Sequence, residues 1–298
     1  MVRRELKERV TAVLRDKGLD ADETLRRMRE MNVVMEGPPI LQVLLPDCNV
    51  GHVLSFCCPG WGKGAFSQFL LSAGYSVEEE DDQTVELPDD GSQDCHTGCQ
   101  HVTTLRNGDG CTVTVNESVS MSPLVPIFFA ETTASINYVS ADGVACLYPE
   151  MTLYKMALTN YARAFLDEDR QAGMTTYIAN GFRIVDTCEN THNHPPIHHL
   201  DSLEEELPVN CQQKPRRING PDALMVPFTK GGFVPVRPFV RWRLGYNWRL
   251  ENGALRNRDV IISVESEGGS FIEYNHVQPR FNLEDALYGH LDVHFDEW

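Results

Sequence analysis

Long apolar runs are missing from this 298-residue sequence. Among the longest is Pro123 to Ala130, far below the roughly 18 to 20 residues that a bilayer-spanning helix needs, so no membrane partner is expected. Positive charge is scarce as well. Lysine and arginine number 26 against 43 aspartates and glutamates, for a formal net charge of −17. No global positive field draws such a chain onto phosphate backbones, which disfavours nucleic acid as a partner. An apolar secretory leader is lacking too, because the first ten residues, MVRRELKERV, are charged throughout. An intracellular, cytoplasmic protein is expected. The cysteines, nine of them, are odd in number, which does not suit a closed disulfide framework and points to free or metal-bound thiols. Neither the Gly-x-Ser-x-Gly of a nucleophile elbow nor the Gly-x4-Gly-Lys-Ser/Thr of a phosphate loop occurs. The glycines around Lys63 in PGWGKGAF therefore read as a turn and a helix start.

What is there is the composition of a folded chain, 42% hydrophobic and 23% charged, with room for one large domain or two modest ones. The charge is unevenly spread: residues 33–213 hold twenty-five acidic against six basic side chains, whereas residues 214–298 balance at eleven of each. Leu6, Val10, Val13 and Leu14 lie at helical spacing before Gly18, and Asp20 with Glu23 resembles a capping box ahead of Leu25, Met28 and Met31. Residues 1–32 thus read as a helical pair docked on the body. ILQVLL and VGHVLSFCC read as two strands around the turn at PDCN, and a helix follows Pro59-Gly60 and ends at Gly74. The acidic stretch Glu78 to Asp94 reads as a solvated loop. HVTTLRNGDGCTVTV reads as a hairpin turning at Asn107-Gly108-Asp109-Gly110. Residues 131–140 read as helical, and Pro149 as the opening of a long helix ending near Gly173. The His/Pro-rich residues 176–235 read as a connection. In the C-terminal region, 236–298, RPFVRWRLGYNWRL, RDVIISVES and FIEYNHV are β-like.

Several short motifs follow one another in a telling order: Gly37-Pro38, then HVLSFCCP, a helix, CTVTVNES, Ser122-Pro123, NYVSAD and Tyr148-Pro149. With them the chain resembles a group of fungal proteins with a nucleotidyltransferase-like fold, over about residues 33–160. The resemblance implies an α/β (α+β) fold. Its core at 33–175 would be a mixed sheet flanked by helices, joined by the N-terminal helical pair and the β-rich C-terminal region. It implies a cleft where a Gly-Ser turn and three carboxylates hold two divalent cations. Here the counterparts of the carboxylates are Val53, Ser55 and Thr114, and proline at 38 cannot offer an N–H to phosphate. Gly37, His52, Ser55, Thr114 and Glu117 are then the candidate residues of a degenerate cleft. The expected role is that of a binding or regulatory module for a small ligand or protein partner. A shifted register would place Asp47-Cys48-Asn49 there instead, although its flanks read as a turn.

An alternative is an enzyme whose chemistry has moved to metal-binding loops. Cys95, His96, Cys99 and His101 form one local cluster, and Cys188, His192, His194, His198 and His199 another. If the loops met, Cys95, Cys99, His192 and His194 would make a zinc site. His290 and Asp292 offer two ligands of an iron triad but no suitable third downstream. A second alternative is a nucleic-acid binder using the arginines at 237, 241, 243, 249, 256 and 258, interleaved with Phe239, Trp242, Tyr246 and Trp248.

Overall fold

A computed structural model describes residues 2–48, 53–60, 62–82, 97–160, 168–185, 207–208, 211–234, 236–249, 255–258, 260–265 and 271–275. The helical spacing at the N-terminus becomes α1 (Val2–Asp16), which buries Leu6, Val10 and Leu14. Gly18, at φ +76°, reverses the chain into α2 (Ala21–Met31). Asp20 caps α2 by accepting from the Glu23 N–H at 2.8 Å, which satisfies one of the donors a helix start leaves open. Then follow β1 (Val34–Glu36), α3 (Pro38–Leu44), β2 (Leu54–Cys58), α4 (Lys63–Ser72), β3 (Tyr75–Asp82), β4 (Cys99–Asn107) and β5 (Thr112–Ser118). After a 3-10 turn at Pro126–Phe129 come β6 (Asn137–Ser140), β7 (Gly143–Cys146), α5 (Pro149–Thr152), β8 (Met156–Leu158), α6 (Glu168–Ala179) and β9 (Arg183–Val185). The C-terminal part supplies β10 (Arg216–Arg217), β11 (Leu224–Pro227), β12 (Val240–Arg243), β13 (Tyr246–Arg249), β14 (Leu255–Arg258), β15 (Ile261–Glu265) and β16 (Phe271–Asn275).

The fold is a mixed α+β one. Its main sheet has eight strands in the order β11-β7-β6-β1-β2-β5-β4-β3, and a second sheet of four runs β10-β12-β15-β16. Within the main sheet the pairing is antiparallel except for β2 with β5, the parallel pair being made possible by the crossover through α4. Leu54 and Phe56 of β2 and Val113 and Val115 of β5 pack with the inner faces of α1, α2, α3 and α4. The opposite face of the sheet presents Val34, Cys57, Tyr138 and Ala145, which share a second core with Phe128, Phe129, Val240, Trp242, Ile262 and Val264. The second sheet is thereby built onto the first through one continuous apolar layer.

Several segments differ from their sequence reading. ILQVLL is helical because Pro38 and Pro39 start a helix well and Ile40, Leu41 and Val43 are buried on more than one side, so no alternation marks it. Glu78 to Asp82 belong to β3, whose backbone pairs with β4 while the side chains up to Asp81 remain exposed; backbone hydrogen bonds, not burial, make the strand. Residues 137–140 are β6, with all four residues buried. The long helix from Pro149 stops after one turn, since Lys155 takes a positive φ of 51° and β8 then pairs with β9. The stretch read as a connection, 176–235, contributes β9, β10 and β11, and β11 is an outer strand of the main sheet.

Burial pushes the Tyr75 and Tyr177 phenols up to about 12 and the Cys146 thiol to about 11. In the unfolded chain such groups ionise near 10 and near 9, so above those values only the unfolded state releases its protons freely. These groups leave stability unchanged up to about pH 9, and it is expected to fall progressively from about pH 9 to 12. Urea midpoints measured across that range check this; a midpoint unchanged at pH 11 contradicts it.

Candidate functional site

Three of the residues singled out by sequence meet at the end of β1. Gly37 sits at φ +93°, a conformation costly for any residue with a Cβ. Pro38 and Pro39 occupy the first two positions of α3, and the Ile40 N–H is already bonded to the Gly37 carbonyl at 3.0 Å. The first three helical positions thus offer no spare donor to an anion. Ser55 of β2 lies opposite Glu36 of β1 on one side and Thr114 of β5 on the other. The Thr114 hydroxyl donates to Ser55 Oγ at 2.8 Å. A Cβ placed on Gly37 would lie 3.7 Å from the same Oγ, so turn and hydroxyls adjoin.

Sequence reasoning missed two further members, Glu36 and Asn116. Asn116 Nδ2 donates to Glu36 Oε1 at 3.3 Å. The signals were available: Glu36 directly precedes the glycine, and Asn116, two residues beyond Thr114, must share its face. The site therefore holds two neutral hydroxyls, an amide and one carboxylate. Burial pushes the neighbouring Cys57 thiol well above its ordinary value, and the charge of Glu36 adds to the effect, so this sulfur stays protonated and is a poor nucleophile. A lone carboxylate cannot clamp a pair of divalent cations.

Glu117 does not join this group. It is three residues from Thr114 and faces the other side of the sheet with Val113 and Val115, where it is 4% exposed and 3.9 Å from His101 Nε2. Strand parity, which an odd spacing reverses, is what the sequence reading overlooked. Val53, the counterpart of the first carboxylate, precedes β2 and is exposed; His52 lies outside the described residues. Asp47 belongs to the turn after α3. There the Lys155 ammonium, 2.7 Å from its carboxylate, holds that carboxyl below the ordinary range. Around Lys63 the glycines make the turn: Gly62 N–H donates to Pro59 O at 2.9 Å and Gly60 N–H to Ser120 O at 2.7 Å.

Of the four candidate zinc ligands, Cys95, His192 and His194 lie outside the described residues. Cys99 is buried at the start of β4, its thiol 3.7 Å from the Thr97 carbonyl. Among the described residues no group of three or more His, Cys, Asp or Glu is arranged to hold a metal. His290 and Asp292 also lie outside them.

The arginine-aromatic region divides in two. Trp242 is only 2% exposed; it stacks on Phe128 with ring centroids 4.4 Å apart and donates to the Tyr148 hydroxyl at 2.9 Å, so it is core and offers no surface to a base. Arg241 and Arg243 flank it on β12 with the opposite orientation. The Arg237 guanidinium lies 4.5 Å from the centre of the Phe239 ring. Arg249, Arg256 and Arg258 fall on the β13-β14 ladder.

No protein-family model matches the chain, and no curated protein matches it. No helix among the described residues is long and apolar enough to cross a membrane.

Proposed function

We propose that this chain is a catalytically degenerate nucleotidyltransferase-like protein that acts by binding a small ligand or a protein partner, in an intracellular setting. The observation that supports the reading is the Ser55-Thr114 hydroxyl pair, 2.8 Å apart on adjoining parallel strands beside the Gly37 turn. Those are the positions where the resemblance asks for metal-binding carboxylates. With hydroxyls there, charge developing on a transferring phosphoryl group has no cation clamp. The proline pair at the turn removes the second element, backbone donors for the phosphates.

The direct test is release of pyrophosphate from each ribonucleoside triphosphate with Mg²⁺, expected to stay at the level of the protein-free blank; Mg²⁺-dependent release abolished by Glu36→Gln would overturn the reading. A gain-of-site experiment probes the geometry. The double variant Ser55→Asp/Thr114→Asp sets two carboxylates side by side in a half-buried place, and their repulsion should cost about 2 kcal/mol of stability. Millimolar Mn²⁺ should restore the loss in this variant and leave the parent chain unchanged, as read by thermal unfolding. A variant indifferent to Mn²⁺ means that these strands do not present a nucleotidyltransferase-like metal site.

A further inference from the structure

A concave site lies on the four-stranded sheet, sharing no residue with the hydroxyl pair. It is a cleft of about 810 Å³, within the size range of small-molecule pockets. Among the described residues its walls include Lys214, Arg217, Arg241 and Arg243, with the backbone of Arg216, and the carboxylate Asp222. That carboxylate is already engaged, 3.0 Å from Lys214 Nζ. The concentration of positive charge runs against the −17 of the whole chain, so it is a local arrangement and not a by-product of composition.

Arg216 of β10 lies opposite Trp242 of β12 and so shares its buried face, whereas Arg217, Arg241 and Arg243 lie on the outer face. Arg216 is 4% exposed, and its Nε and Nη2 have no hydrogen-bond partner. Its guanidinium carbon sits 4.1 Å from the centre of the Tyr148 ring, and the Tyr148 hydroxyl is in turn fixed by Trp242 at 2.9 Å. Burying a guanidinium with two of its nitrogens unpartnered is costly to the protein alone. Arg243 repeats the pattern with an unpartnered, buried Nε. The strands add a further cost, because Arg217 of β10 lies directly opposite Arg241 of β12, and like charges in that relation repel. A smaller adjoining recess shares Arg217 and Arg241 and brings in Glu265, which offsets part of that repulsion at the rim.

We propose that this cleft is a binding site for a small molecule bearing phosphate groups. Arginine forks match tetrahedral oxyanions through paired N–H donors, and the convergence of several of them suits two or more negative charges. Asn219 and Ser263 in the wall supply neutral donors to orient the remainder of the ligand. The cleft is concave, which favours a compact anion over a nucleic-acid strand tracking across an open sheet. The site involves no residue of β2 or β5, so it stands or falls independently of the degenerate-core reading.

The test is calorimetric titration of the full chain with inorganic pyrophosphate at fixed ionic strength. Saturable one-site binding is expected in the parent chain, with affinity at least about tenfold weaker in Arg217→Gln/Arg243→Gln, both of which are at least partly solvent-exposed and can change without opening the core. Absence of saturable binding, or equal affinity in the double variant, overturns the proposal. So does tighter, steeply salt-dependent binding of a single-stranded oligonucleotide lacking terminal phosphates, which would make the surface a nucleic-acid interface instead.

Discussion

Trp242→Ala is expected to lower the unfolding free energy by about 3 to 5 kcal/mol, the range for removing a large aromatic side chain from a packed core. The indole is 2% exposed, stacks on Phe128 at 4.4 Å and donates to the Tyr148 hydroxyl at 2.9 Å. Truncation leaves a cavity between the second sheet and the layer beneath it and strips a buried hydroxyl of its donor. Because whole domains are stable by only about 5 to 15 kcal/mol, such a loss is a large fraction of the total. Urea unfolding followed by far-ultraviolet circular dichroism measures it. A shift under 1 kcal/mol would mean that the two sheets do not depend on each other. That outcome would contradict the continuous apolar layer through which β12 and β15 contact the main sheet.

Asn160→Ala is expected to cost a comparable amount, about 3 kcal/mol or more, by a different route. Asn160 is completely buried, and its amide donates to the carbonyls of Phe128 at 2.8 Å and Ala130 at 2.9 Å while its oxygen accepts from the Gly245 N–H at 3.1 Å. Alanine leaves the buried Phe128 carbonyl and Gly245 N–H, and the part-buried Ala130 carbonyl, without this partner, each buried group worth about 1 to 3 kcal/mol of desolvation. The same side chain thus ties the 3-10 turn to the segment that links β12 to β13. Asn160→Asp keeps the acceptor but removes the donors, and is expected to be nearly as damaging. Equilibrium unfolding of both variants distinguishes this from simple loss of volume, which an alanine alone would not separate. Full stability in Asn160→Asp would show that the two carbonyls find other donors.

How much of this was legible in advance depended on whether a segment's neighbours were local. The Asp20 cap, the stripe Leu6-Val10-Leu14 and the hairpin at Asn107 carry their reasons within a few residues and formed as read, although the Glu23 carboxylate of the expected capping box accepts from Arg26 and Arg27. ILQVLL did not, because burial on more than one side erases the periodicity that separates helix from strand. Residues 149–160 misled in the opposite way: an apolar 3.6-residue pattern was present, but tertiary pairing of β8 with β9 outweighed it. In the candidate site, the adjacency of Gly37, Ser55 and Thr114 followed from motif order, whereas Glu117 was misassigned through strand parity, a rule the sequence itself could have enforced. The basic cleft was only half visible. Arginines among aromatics were plain in the sequence, but their sorting into a buried face with Trp242 and Arg216 and an outer face with Arg217, Arg241 and Arg243 depends on strand pairing between residues far apart in the chain.

The outermost strand β3 has one more consequence. An unpaired sheet border is a template on which a second copy could add its own strand, and the main sheet ends on this one. Its sequence, YSVEEEDD, places five consecutive carboxylates along that border, of which Glu78 is paired with Arg106 at 3.2 Å. Two such borders brought together in register would confront carboxylate with carboxylate along their length, so the acidity of this stretch guards against self-association at neutral pH.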